Sequence, residues 1–169
     1  MTVNAILTAA IRGSYAGTND LASVVAEFST STKREITLSP GTTANKADKM
    51  FLDTRTLSAS ATENLDLAGS LTDPNGATLT FATVKAIWVA AAAGNTNNVV
   101  VGGAGSNTLL GIFSDATDKI IVKPGGVFMW VAPATGATVT ASTGDILLVA
   151  NSGSGTSVSY DIAILGTSS

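Results

Sequence analysis

The stretch VKAIWVAA, residues 84–91, decides how this chain folds. Its side chains alternate with a period of two, Val84, Ala86, Trp88 and Ala90 on one side and Lys85, Ile87 and Val89 on the other. That period is the mark of a β-strand. Both sets are largely apolar, so neither face of the strand is expected to meet water. This is the predicted core strand.

The pattern repeats on either side of it. Upstream, Met50, Leu52, Thr54 and Thr56 alternate with Phe51, Asp53, Arg55 and Leu57, and Leu65 and Leu67 flank Asp66. TDPNG at 72–76 predicts a turn, because proline suits the first corner position and Asn-Gly tolerates positive φ. It should link a strand ending near Leu71 to one starting at Leu79. Downstream, strands are predicted at 98–101, 119–122, 127–132, 145–150 and 157–165, separated by Gly, Asn or Pro clusters.

Nearer the N-terminus, Leu7, Ala9, Ile11 and Gly13 alternate with Thr8, Ala10, Arg12 and Ser14, which predicts a strand ending near Tyr15. GTND at 17–20 then reads as a turn, and 21–28 as a strand in preference to a short helix capped by Asp20. Ile36 and Leu38 belong to another strand that stops at Pro40-Gly41. Many short strands without a long helical pattern predict an all-β fold, a β-sandwich or jelly roll. An extended N-terminal arm is expected over residues 1–45, and the sandwich over 46–169.

Composition narrows the function. Charged residues make up 12% of the 169 residues, and hydrophobic ones 45%. A soluble domain carries about 25% charge, so this one has half the usual amount, with Thr, Ser, Ala, Gly and Asn in its place. Such surfaces suit contact with other protein surfaces. Histidine and cysteine are absent, which removes the residues that most often carry acid–base, nucleophilic and metal chemistry. A net charge of −3, with nine scattered Lys and Arg, argues against nucleic-acid binding. The longest apolar run, 86–93, is far shorter than the ~20 residues that span a bilayer, so no membrane partner is expected. MTVNAILTAAIRGS has no basic n-region and is broken by Arg12, so it does not read as a secretory signal.

Candidate chemistry is sparse. GGAGSNTL at 102–109 has Asn107 where a calcium-binding repeat needs Asp, and a single copy lacks the anionic oxygens a hard cation requires. The carboxylate pairs Asp115 with Asp118 and Asp48 with Asp53 read as solvated loop residues. Serines and threonines lack a histidine base, and no SxxK pattern is present. No catalytic residue, cofactor or metal is therefore expected. Trp88 and Trp130, the latter beside Phe128 and Met129, read first as core. The sharper reading places Trp88, Phe128 and Trp130 at a contact between subunits, since interfaces favour aromatics and Met.

Several segments resemble a family of small virion proteins of tailed bacteriophages. They are ADKMFLDTRTL (47–57), ENLDLAGSLTDPNGATLTFATVKAIWV (63–89), NTNNVVVGG (95–103), VKPGGVFMWVAP (122–133) and TGDILLVANSGSGTSVSYDIAILG (143–166). The resemblance covers most of the chain after residue 45 and implies an all-β particle component with no catalytic residues. The leading expectation is a capsid decoration protein, assembled in the host cytoplasm and located in the virion. Its partners would be the major capsid protein or other virion proteins, and it would form a homo-oligomer, expected as a trimer. Ile6, Leu7, Ile11 and Tyr15 on the arm would make contacts, for instance by adding a strand to a neighbour's sheet. Two other functions fit the same composition. One is a tail, fibre or spike component touching the host surface. The other is a carbohydrate-binding jelly roll with Trp88 or Trp130 as a sugar platform.

Overall fold

The computed structural model describes residues 3–18, 21, 23–28 and 32–169. Among them there are only strands, turns and loops, so the fold is all-β. The strands are β1 (Ala5–Ala10), β2 (Gly13–Thr18), β3 (Ser23–Phe28), β4 (Lys33–Pro40), β5 (Lys46–Ala47), β6 (Lys49–Leu57), β7 (Thr62–Asp66) and β8 (Leu71–Thr72). They continue as β9 (Thr78–Leu79), β10 (Thr83–Ala91), β11 (Val99–Gly102), β12 (Lys119–Val122), β13 (Val127–Val131), β14 (Ala137–Thr138), β15 (Ile146–Asn151) and β16 (Val158–Thr167). TDPNG does join β8 to β9. Asp73 Oδ1 accepts from the backbone N–H of Asn75 at 2.8 Å and of Ala77 at 2.9 Å, and Gly76 takes φ +83°.

Eight principal strands pair in a nested, antiparallel order. β6 pairs with β16, β7 with β15, β10 with β13, and β11 with β12. Two further pairings, β10 with β16 and β11 with β15, complete the sheets β13-β10-β16-β6 and β12-β11-β15-β7. Both sheets feed one core. Phe51, Ile87, Val89, Ile162 and Ile164 come from the first, and Leu65, Val99, Val101, Leu147 and Val149 from the second. Each such side chain contributes roughly 1.5–3 kcal/mol when buried, so apolar packing, not ion pairing, holds the sheets together.

One sequence expectation changes at β10. Its pairing with β16 shifts register between Val84 and Ala86. This irregularity puts Val84 into the core between the sheets, while Ala86 joins a second cluster on the outer face. Strict alternation had placed the two on one face; an extra residue on one strand reverses the faces beyond it. Two glycines permit the local crowding. A Cβ on Gly166 would lie 2.1 Å from the Thr83 carbonyl oxygen, and one on Gly136 would lie 2.5 Å from the Val84 oxygen. Lys85, at the irregularity, is buried and donates from Nζ to the Ala134 carbonyl at 2.9 Å. Burial pushes its pKa down.

The first four strands form a two-stranded ribbon. β1 pairs with β4 from Ala5↔Leu38 to Ala10↔Lys33, and β2 with β3 from Gly13↔Phe28 to Thr18↔Ser23. Between them the Ile11 N–H donates to the Thr32 carbonyl at 3.3 Å. The chain therefore stays extended past Tyr15, beyond the predicted end. Neither face of this stretch is buried, so no apolar period marks its length. Gly17 and Thr18 of the predicted GTND turn lie in β2; Asn19 and Asp20 fall outside the described residues. At the base of the ribbon, Val3, Leu7, Leu38 and Ala47 pack with Ala86 and Leu165 on the outer face of the first sheet.

Candidate interaction surface

The outer face of the β13-β10-β16-β6 sheet presents three rows of side chains, each crossing four strands. The registers align Val131, Ala86, Leu165 and Met50 in the first row. Met129, Trp88, Ala163 and Leu52 form the second, and Val127, Ala90, Asp161 and Thr54 the third. The ribbon base covers the first row, where Ala86 and Leu165 are buried. The cover thins beyond it: Met129 still packs against the ribbon base and Trp88 is half-buried, while Leu52 is 50% exposed and Val127 58% exposed. Asp161 is the one charged residue in the three rows, and it accepts from the Thr54 hydroxyl at 2.6 Å.

Two open grooves run along the ribbon where it meets this face. One is lined by Ile6, Leu7, Thr8, Trp88, Met129 and Leu165. The other is lined by Leu7, Ala9, Arg34, Ile36, Met129 and Val131. Farther out, every described residue from Thr8 to Thr18 is exposed except Gly17. Ile11 and Tyr15 stand out there, at 68% and 74% exposure. A two-stranded ribbon with none of its described side chains buried and no third strand is marginal by itself.

The structure separates the sequence-predicted contact residues into three places. Ile6, Leu7 and Trp88 meet in one groove, with Ile6 exposed and Leu7 buried. Ile11 and Tyr15 lie outward on the ribbon. Phe128 and Trp130 are on the opposite face of the sheet from Trp88, packed at the margin of the core between the sheets. Trp88 and Trp130 therefore do not share one environment. Leu52 and Met129 escaped selection in the sequence, although the alternation of Met50, Leu52, Thr54 and Thr56 against Phe51 already placed Leu52 on one face of its strand.

The polar residues singled out in the sequence are engaged in local structure. Asp118 Oδ2 accepts from the N–H of Asp115 at 2.8 Å, and Asp115 Oδ1 from the N–H of Thr117 at 2.9 Å. That second bond, with another from the Thr117 hydroxyl, holds the Asp115 carboxyl below its usual pKa. Asp48 accepts from the Ser168 N–H, while Asp53 faces Arg55 Nε at 3.1 Å, so these two carboxylates serve different partners. Asn107, in the glycine-rich loop, takes φ +53°, and its carbonyl accepts from the Ile146 N–H at 2.8 Å. Among the described residues no three His, Cys, Asp or Glu side chains gather in one place. One partly buried polar cluster joins the sheets: Arg55 Nη1 meets Glu63 Oε2 at 3.2 Å, and the Tyr160 hydroxyl donates to Glu63 Oε1.

Comparison with protein-family models, curated proteins and solved structures finds no match to this chain.

Proposed function

We propose that this chain is a structural protein of a tailed-bacteriophage particle, a decoration protein that sits on the head and bridges capsid subunits. It works as a homo-oligomer, with a trimer as the expected form, and its main partner is the major capsid protein. The observation that carries this reading is apolar surface exposed in two places, Leu52 and Ile6 about the half-buried Trp88 and Ile11 with Tyr15 farther out on the ribbon. With so little surface charge, this apolar area is suited to protein contact.

The fold assignment within this reading is a jelly roll with an N-terminal arm. Strand order supports the first part. In chain order, the first of the eight principal strands pairs with the last, the second with the seventh, the third with the sixth and the fourth with the fifth. Rolling one long hairpin around a core gives that order, and jelly rolls recur in viral capsid and lectin domains. The arm is supported by a ladder that runs from Ala5 to Thr18 while burial is confined to its base. An arm of this kind can add a strand to a neighbour's sheet. Several weak contacts from one multimer then combine through avidity.

The sugar-platform reading has less support. Thr8 is the one polar residue lining the groove at Trp88, and Trp130 faces the core. To test the decoration reading, purified protein is titrated onto expanded, empty heads. Saturation at a fixed ratio to the capsid subunit, with a raised melting temperature of the heads, is expected. Binding confined to one vertex or to the tail would sink it and favour a tail or fibre role.

A further inference from the structure

We infer that the second and third rows of the outer sheet face, beyond the chain's own ribbon base, are the seat for the ribbon of a second copy of this chain. The inference rests on the reading of the chain as an assembling structural protein, and it names the partner of the surface described above.

Three observations carry it. First, the face already holds a ribbon: the chain's own β1 and β4 lie on the first row, with Leu7 and Leu38 packed against Ala86 and Leu165. The neighbouring row, Met129, Trp88, Ala163 and Leu52, offers the same apolar and small side chains to a second ribbon. Second, the outer half of the ribbon buries none of its described side chains, and such a hairpin needs a surface to hold it. Third, each side offers a partner charge: Asp161 is the one charge on the rows, and on the ribbon Arg12, beside Ile11, is exposed, with the exposed Glu27 lying farther out opposite Ser14. Ribbon into seat is a head-to-tail contact, which closes into a ring when the rotation allows.

The test uses the full chain with two exposed substitutions, Leu52→Asp in the seat and Tyr15→Asp on the ribbon. Sedimentation of the wild type at micromolar concentration should show mass above 16.9 kDa. Each variant alone should run as the monomer with an unchanged far-UV spectrum. Mixing the two should restore a two-chain species, because the intact ribbon of Leu52→Asp fits the intact seat of Tyr15→Asp. In a Trp130→Phe background, Trp88 emission should shift to the blue as that species forms. If the wild type assembles but the mixture restores nothing, the contact is symmetric and the inference is overturned. A wild type that stays at 16.9 kDa with constant Trp88 emission overturns it as well, even if the chain still loads onto heads. Assembly without head binding would leave the inference standing and sink the decoration reading instead.

Discussion

The Tyr160 hydroxyl on β16 donates to the Glu63 carboxylate on β7, which ties one sheet to the other through a tyrosine that is itself almost fully buried. Burial first, then the bond to Glu63, push the tyrosine pKa well above its ordinary value. The native chain therefore keeps this proton at a pH where the unfolded chain has released it. The stability it represents is complete below about pH 10 and is lost as pH rises further, at about 1.4 kcal/mol per pH unit. Lys85, whose pKa is lowered, acts in the opposite sense near the same pH. Comparing urea unfolding of the wild type and Tyr160→Phe isolates the tyrosine. The wild type should lose stability relative to the variant above about pH 10, and a constant difference would contradict the assignment.

The ribbon should divide sharply into anchor and free surface. Leu38 is fully buried at the base, so Leu38→Ala is expected to cost about 2–4 kcal/mol. Tyr15→Ala and Ile11→Ala, on exposed positions, should stay within about 0.5 kcal/mol. Denaturant unfolding of the purified variants measures all three, at a dilution where wild type and variants are all monomeric, since assembly adds to apparent stability. A large loss at Tyr15 under those conditions would mean that the outer ribbon packs within its own chain.

Gly166 pairs with Val84 at the register shift, where an added methyl meets the Thr83 carbonyl. Because the obstacle is backbone, the sheet itself must move. Gly166→Ala should destabilise by at least about 1–3 kcal/mol, the usual cost of overpacking. Thermal unfolding followed by circular dichroism reads this; an unchanged midpoint would show that the strands separate easily there.

Asn95 acts as a substitute strand for one residue of β16. Its Nδ2 donates to the Ser159 carbonyl at 2.8 Å, and its Oδ1 accepts from the Ser159 N–H at 2.9 Å. Asn95→Ala removes both bonds and should cost about 1–2 kcal/mol. Asn95→Asp should cost more, since a carboxylate oxygen would replace the donor facing the Ser159 carbonyl. Equal losses for the two, in urea titrations near neutral pH, would rule out the paired geometry.

Local structure was well marked in the sequence, and spatial order was not. The bounds of β6 follow from alternation ending at Leu57, those of β12 from a short apolar run closed by Pro124-Gly125-Gly126, and Asp73-Pro74-Asn75-Gly76 announces its turn. Pairing β6 with β16 joins residues more than a hundred positions apart, and no local pattern records that. The register shift at Lys85 was hidden because apolar residues occupy both sides of β10, so a reversal of faces leaves the pattern unchanged. For the same reason Trp88 and Trp130 looked alike, although one faces outward and the other the core. Along β2 the signal failed differently: no residue from Gly13 to Thr18 is buried, so the stretch carries no apolar period, whereas β3 (Ser23–Phe28) falls within the strand read at 21–28.

The central claim is that this chain works by covering a particle with contact surface. Counting its copies in purified virions by quantitative mass spectrometry, against the major capsid protein, tests that most directly. The account predicts a number that rises in fixed proportion to the capsid subunit. A number matching the tail or a single vertex, or absence from the particle, would contradict it.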